Sequence, residues 1–290
     1  MLKFITPVAV ASAFAIGAVL PATAADLYEP PVVDIPSEPE VVYKDDSFGG
    51  WYIRGDIGYR HSTMRGIDYF VYDPGPIRRG FETHKLRGSV SVGAGVGYQI
   101  NHYLRTDFTV DYWGKSRFRG STVGFGDCGA DGVCVSRDTS SFSALVMLAN
   151  AYAELGTYKR ITPYVGAGIG GAYVKWDKLR NRYDTNFGEV DISHKGAKGM
   201  RFAWALMAGA SYCITNNWHA DLGYRFTNIS GGKMFGYRAG GGPGHHKAIQ
   251  SHEVRAGLRY QFGGSGSGCD TPQKVVYSEP YEPISVPVYK

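Results

Sequence analysis

From Trp218 to Phe226 the chain alternates at every residue. Trp218, Ala220, Leu222, Tyr224 and Phe226 fall on one side of an extended backbone, and His219, Asp221, Gly223 and Arg225 fall on the other. A period of two belongs to a β-strand with unlike faces. Here the unlike faces are aromatic-ended hydrocarbon and charge, which suits a wall between lipid and a polar interior better than a half-buried soluble strand.

The same pattern recurs in seven further stretches. Residues 51–60 turn Trp51, Ile53, Ile57 and Tyr59 outward and Arg54, Asp56 and Arg60 inward. Residues 86–98 direct Leu86, Val90, Val92, Val96 and Tyr98 to lipid. Residues 104–112 set Leu104, Phe108, Val110 and Tyr112 against inward Arg105, Asp107 and Asp111. Residues 142–155 contain Ala144-Leu145-Val146-Met147-Leu148-Ala149, apolar on both faces, so their register stays open. Residues 163–173 place Gly166, Gly168 and Gly170 inside, where bulky residues from across a narrow barrel fill the space. Residues 202–212 turn Trp204 and Leu206 outward, and residues 252–262 set Val254, Leu258, Tyr260 and Phe262 against inward Glu253, Arg255 and Arg259.

Eight such strands predict an all-β fold, an eight-stranded antiparallel transmembrane up-and-down β-barrel. Turns near Asn101, Thr157 and Asn216 are short, whereas the connections 61–85, 113–141, 174–201 and 227–251 are long. Short turns belong in the periplasm and long loops outside the cell, so both chain ends are expected in the periplasm. An interior of this size is about wide enough for side chains to fill. The inward charges Arg54, Asp56, Arg105, Asp107, Asp111, Asp221, Arg225, Glu253, Arg255 and Arg259 are therefore expected to form an ionic, hydrogen-bonded plug, with a narrow ion path as the alternative.

The first residues explain the route to a membrane. Lys3, the apolar stretch from Phe4 to Leu20 and the small residues Ala22-Thr23-Ala24 form a signal-peptide pattern, with cleavage after Ala24 leaving Ala25-Asp26 as the mature start. Four segments follow: a signal peptide over 1–24, a proline-rich periplasmic leader over 25–48, the barrel over 49–262, and a flexible Gly/Ser- and Pro-rich periplasmic tail over 263–290. With 40 Gly, 21 Tyr and 5 Trp in 290 residues, mean hydropathy is only −0.22. Such an average fits strands of which only alternate residues meet lipid. A net charge of +5 suits lipopolysaccharide as a partner, alongside membrane lipid. Export and the lack of a nucleic-acid-binding motif argue against nucleic acid.

Four cysteines in an exported chain read first as two disulfides. Cys128 and Cys134 bracket a short polar segment, and strand order makes Cys213 and Cys269 neighbours at the periplasmic rim. A metal site is the rival reading, weakened because the two pairs fall on opposite sides of the membrane. Asp68, Asp73, His84, Asp138, His194, His245, His246 and His252 lie in or beside the outer connections, but no nucleophile elbow or metal-binding helix accompanies them. No enzyme, cofactor or metal is expected. Gly240-Gly241-Gly242-Pro243-Gly244 reads as a flexible surface loop, with haem or metal capture beside His245-His246 as an alternative. Tyr69, Tyr72, Phe118, Tyr183, Phe187 and Tyr237, mixed with Arg78, Arg79, Arg117, Arg119, Arg180 and Arg182, offer a surface for recognition.

With its Ala25-Asp26 start, Gly49-Gly50-Trp51-Tyr52, the run Thr162-Pro163-Tyr164-Val165-Gly166-Ala167-Gly168-Ile169-Gly170 and Arg255-Ala256-Gly257-Leu258-Arg259-Tyr260, the chain resembles the Omp25/Omp31-type outer-membrane proteins of alphaproteobacteria, a porin-like eight-stranded family. It departs from them by continuing past Phe262 to Lys290. The resemblance implies insertion by the outer-membrane assembly machinery, a role in envelope integrity, and covalent attachment to peptidoglycan through the mature Ala25 amine. A surface adhesin, a haem-like ligand binder and a narrow ion-conducting porin are the alternatives.

Overall fold

The computed structural model describes residues 49–72, 75–262 and Cys269, which belong to one compact unit. The segments expected as signal peptide, leader and, apart from Cys269, tail, and with them Ala24, Ala25 and Asp26, lie outside the described residues.

Fourteen strands follow in order: β1 (Gly50–Tyr72), β2 (Pro76–Gly80), β3 (Thr83–Leu86), β4 (Ser89–Gln99), β5 (Leu104–Ser121), β6 (Val123–Phe125), β7 (Val133–Val135), β8 (Arg137–Glu154), β9 (Ile161–Trp176), β10 (Leu179–Thr185), β11 (Gly188–His194), β12 (Lys198–Cys213), β13 (Trp218–Phe235) and β14 (Gly241–Gln261). Eight of them close a ring through antiparallel ladders, β1 to β4, β5, β8, β9, β12, β13, β14 and back to β1. Closure leaves no open edge in the wall, as a lipid environment requires. The turns between β4 and β5, β8 and β9, and β12 and β13 are short. The barrel's first and last strands, β1 and β14, therefore begin and end at that same rim.

The strands outrun the sequence expectation at the opposite end. Much of the connections 61–85, 113–141, 174–201 and 227–251 continues the ladders, with Arg65 opposite Ala248, Arg117 opposite Ser141 and Ser230 opposite Ala248. Gly241 to Gly244, read as flexible loop, begins β14. Short hairpins then cap the barrel: β10 with β11, and β6 with β7. Strand two also starts later than expected. Arg87 and Gly88 separate β3 from β4, so Leu86 turns inward and is buried rather than facing lipid.

Outward side chains form the lipid belt. Ile53, Ile57, Val92, Val96, Phe108, Ile169, Leu206, Leu222, Val254 and Leu258 are exposed between two aromatic levels. At the short-turn rim, Trp51 meets Tyr98 edge-on at 5.4 Å and Trp218 lies 5.0 Å from Tyr260; at the other level, Trp204 lies 5.5 Å from Phe226. The stretch from Trp51 to Tyr59 is of the length a tilted strand needs, about 9–11 residues. Above this belt the outward residues turn polar: His61, Thr63 and Arg65 on β1, Lys115, Arg117 and Arg119 on β5, Lys175 on β9.

Candidate functional site

The lumen is the place where most charge converges, and it is divided into two halves. On the short-turn side, the described residues bring six buried arginines (Arg54, Arg60, Arg105, Arg225, Arg255 and Arg259) to six buried carboxylates (Asp56, Asp107, Asp111, Glu154, Asp221 and Glu253). Each is inward because it occupies the alternate position of a strand whose other face meets lipid.

Ring closure, not sequence proximity, selects the partners. Arg225 on β13 binds Asp111 of β5 at 2.6 Å and Glu253 of β14 at 2.7 Å. Arg255 bridges Asp56 at 2.9 Å and Asp111 at 3.2 Å, and Arg54 reaches Asp56 at 2.7 Å and Asp107 at 3.0 Å. Arg105 pairs with Glu154 at 3.0 Å while lying over the rings of Tyr152 and Tyr164 at 4.3 and 4.8 Å. Asp221 stands among Arg54, Arg105 and Arg259 at 3.7–4.0 Å. Neutral groups complete the network: Asn150 donates to Asp107 at 2.7 Å, Tyr52 donates to Asp107 at 3.1 Å, and Ser91 donates to Glu253. All of these charges except Arg60 stand within 4.0 Å of an opposite charge, which offsets much of the cost of leaving water.

All ten charges expected to form the plug lie in this half. Glu154 was missed because the face of residues 142–155 was open. The ladder to β5 resolves it, placing Asp107 opposite Asn150 and turning Val146, Leu148, Asn150, Tyr152 and Glu154 inward. Two inner glycines of β9, Gly166 and Gly168, are matched by side chains of the adjacent strand, Tyr152 and Asn150, rather than from across the barrel, and Gly170 meets the backbone of that strand. A Cβ at Gly166 would come 2.6 Å from the Tyr152 ring.

Arg60 marks the border between the halves. Its guanidinium donates to Ser62, Ser116 and the Gly114 carbonyl, and lies 4.5 Å from the Trp113 ring and 5.6 Å from that of Phe142. Beyond it the expected ionic plug gives way to an apolar core of Met64, Ile67, Trp113, Phe118, Phe142, Val146, Leu148, Val174, Trp176, Ile229, Phe235 and Ile249 among others. Phe142 packs on Trp176 at 5.1 Å and Phe118 on Trp176 at 6.0 Å. Phe118, read as a surface residue, is thus fully buried in that core. Backbone irregularities keep the right faces inward. Gly66 at φ +54° lets Met64 and Ile67 both point in, and a bulge between Trp113 and Ser116 does the same for β5.

Among the described acid–base candidates, Asp68 and His245 are cross-strand partners on β1 and β14. Asp68 meets Arg78 at 3.5 Å, His84 is exposed, His194 Nδ1 contacts the Gly236 carbonyl at 3.1 Å, His246 contacts Arg201, and His252 contacts the Tyr224 hydroxyl at 2.5 Å. His245 is half-buried, and Asp73 lies outside the described residues. Burial lowers His194, and burial with the Arg201 charge lowers His246 to about 3. Asp138 is buried among neutral donors, accepting from Ser136 at 2.8 Å and Asn181 at 2.6 Å, and its burial pushes it up to about 6. Among the described residues no three metal-binding side chains cluster. The sulfurs of Cys128 and Cys134 are joined, Cα–Cα 5.1 Å, as are those of Cys213 and Cys269, Cα–Cα 5.4 Å.

Residues 12–262 match the family model described as outer membrane protein beta-barrel domain. An uncharacterized protein of Brucella abortus (strain 2308) is 36% identical over 249 residues, covering 74% of this chain and 86% of the relative. The 31 kDa outer-membrane immunogenic protein of Brucella melitensis is 26% identical, covering 80% and 91%. The crystal structure of Neisserial surface protein A aligns with a TM-score of 0.37 at 21% identity, covering 73% of this chain and 97% of that one.

Proposed function

The chain belongs to the outer membrane protein β-barrel family, of the Omp25/Omp31-like alphaproteobacterial type, and from that premise we propose that its principal work is structural: a closed barrel that braces the outer membrane and is tied to the wall by its mature N-terminus. The observation that carries the reading is the filled lumen. A solute crossing it must break buried ion pairs in one half and part a close-packed aromatic core in the other. Parting one buried pair alone costs about 3–5 kcal/mol. That combination favours a sealed post over a porin.

The outward face supports bracing. Arg65, Lys115, Arg117, Lys175, Lys198 and Lys247 stand exposed just above the lipid belt, at the level where outer-leaflet lipopolysaccharide carries its phosphates. Guanidinium and ammonium groups there hold neighbouring lipid anions by charge-assisted hydrogen bonds. Wall attachment rests on Ala25-Asp26 and the proline-rich sequence that follows it; a chain of that composition, at about 3.1 Å per residue when extended, would reach part of the way across the periplasm.

Two measurements test the proposal. Purified protein in planar bilayers is expected to give no conductance steps, and steady channels would replace the sealed post with a porin. Mass spectrometry of muramidase-released protein is expected to find a muropeptide on the Ala25 amine, lost when Ala25 and Asp26 are replaced. A free amine would leave a non-covalent brace.

A further inference from the structure

A half-open cavity lies outside the lumen, above the apolar core, where the four outer connections meet. The cavity holds about 580 Å³, within the range of small-molecule sites, about 300–1,000 Å³. Phe81 and Phe235 form its floor, and both belong to or pack on the rigid core below. Tyr69 and Tyr183 flank it from β1 and β10. The β6–β7 hairpin, pinned by the Cys128–Cys134 bridge, closes one side.

Asp138 lines this space with 1% of its surface exposed. Its carboxylate is steered by Ser136 and Asn181, both neutral, and it enters no ion pair among the described residues. A buried carboxylate that lacks a cation is an expensive arrangement, unlike the six carboxylates of the lumen, each of which meets an arginine. Two hydrogen bonds leave it lone pairs for a further donor. Aromatic rings around it supply the other half of a cation site, since their faces attract ammonium groups. An apolar guest would leave Asp138 unmatched, and an anion would be repelled by it.

We propose that the outer cavity binds a small organic amine, its ammonium group directed to Asp138 and its apolar body held between Tyr69, Phe81, Tyr183 and Phe235. Arg79 and Arg238, exposed on the cavity lining, favour an amine that carries an anionic group at its far end. This binding is independent of whether the lumen conducts or the N-terminus is tethered.

Calorimetric titration of the full chain in detergent at pH 7.5 tests it with three probes of one size class: benzylamine, benzyl alcohol and 4-(aminomethyl)benzoate. Benzylamine is expected to bind saturably and benzyl alcohol at least about tenfold more weakly, the effect of one charge-assisted hydrogen bond. 4-(Aminomethyl)benzoate is expected to bind more tightly than benzylamine, an advantage removed by Arg79→Ala. Asp138→Asn, checked for folding by circular dichroism, is expected to lower benzylamine affinity about tenfold or more and leave benzyl alcohol unchanged. Equal binding of benzylamine and benzyl alcohol to the unaltered protein, or no saturable binding of benzylamine, overturns the proposal without reference to any variant.

Discussion

The two halves of the barrel are built by opposite rules. Within the membrane, apolar side chains face out and charges face in; beyond it, Arg65, Lys115, Arg117 and Lys175 face out while Ile67, Trp113, Phe118 and Val174 face in. The same eight strands run through both, so the difference comes from solvent alone. Lipid leaves a polar interior as the only refuge for charge, whereas water drives the apolar set inward. The lower half is held by partner-specific attraction and the upper by non-directional burial. They should therefore fail differently.

The largest effect is expected in the ionic half. Arg225→Ala removes the shared partner of Asp111 and Glu253 and should cost about 3–5 kcal/mol, because buried Glu253 is left uncompensated and Asp111 keeps only Arg255. Urea unfolding in lipid vesicles measures it. Replacing Arg225, Asp111 and Glu253 together by apolar residues of similar volume should recover most of the loss; if it does not, the pairs contribute net stability and the comparison sharpens in their favour.

In the apolar half, Leu148→Ala empties a fully buried site and should cost about 2–5 kcal/mol, with the exact value set by how far the core collapses. Unlike the charge change, it should be restored by Leu148→Met, a volume-conserving exchange. Failure of methionine to restore stability would mean that shape rather than burial governs this core.

A smaller, pH-dependent term belongs to Asp138. Its folded value, about 6, lies above the ordinary 3.8. The folded state therefore holds the proton more tightly, and stability is lost as pH rises from about 4 through about 6, by on the order of 3 kcal/mol. His194 and His246, both lowered by burial, act in the opposite sense, gaining stability as pH rises through the ordinary histidine range. Tyr69 and Arg79 also face the cavity. Subtracting the profile of Asp138→Asn from that of the unaltered chain isolates the carboxylate, and a flat difference between pH 4 and 7 would contradict the assignment.

The smallest effect should come from the rim. Arg137 pairs with Asp184 at 3.2 Å and Glu189 at 3.7 Å, all three exposed, and Arg137→Ala should change stability by about 0–1 kcal/mol, less still in high salt.

Reading outward hydrocarbon as the mark of a strand explains both what was legible and what was not. Residues 51–60 and 218–226 carry that mark, and their facing follows directly. Residues 61–72 and 113–121 keep the alternation with its polarity inverted, so they read as loop. Residues 142–148 are apolar on both sides because one face meets lipid and the other meets the upper core. No local pattern distinguishes the two.

What the sequence by itself determined is the facing of the membrane-embedded residues, since a period of two and the demand of lipid for apolar surface are local properties of each strand. Only the tertiary structure decided who meets whom. Arg225 finds Asp111 across 114 residues, the ladder from β5 gives β8 its inner face, and Asp138 is held among the described residues by the neutral donors Ser136 and Asn181. Such pairings depend on ring closure and strand stagger, which no single strand encodes.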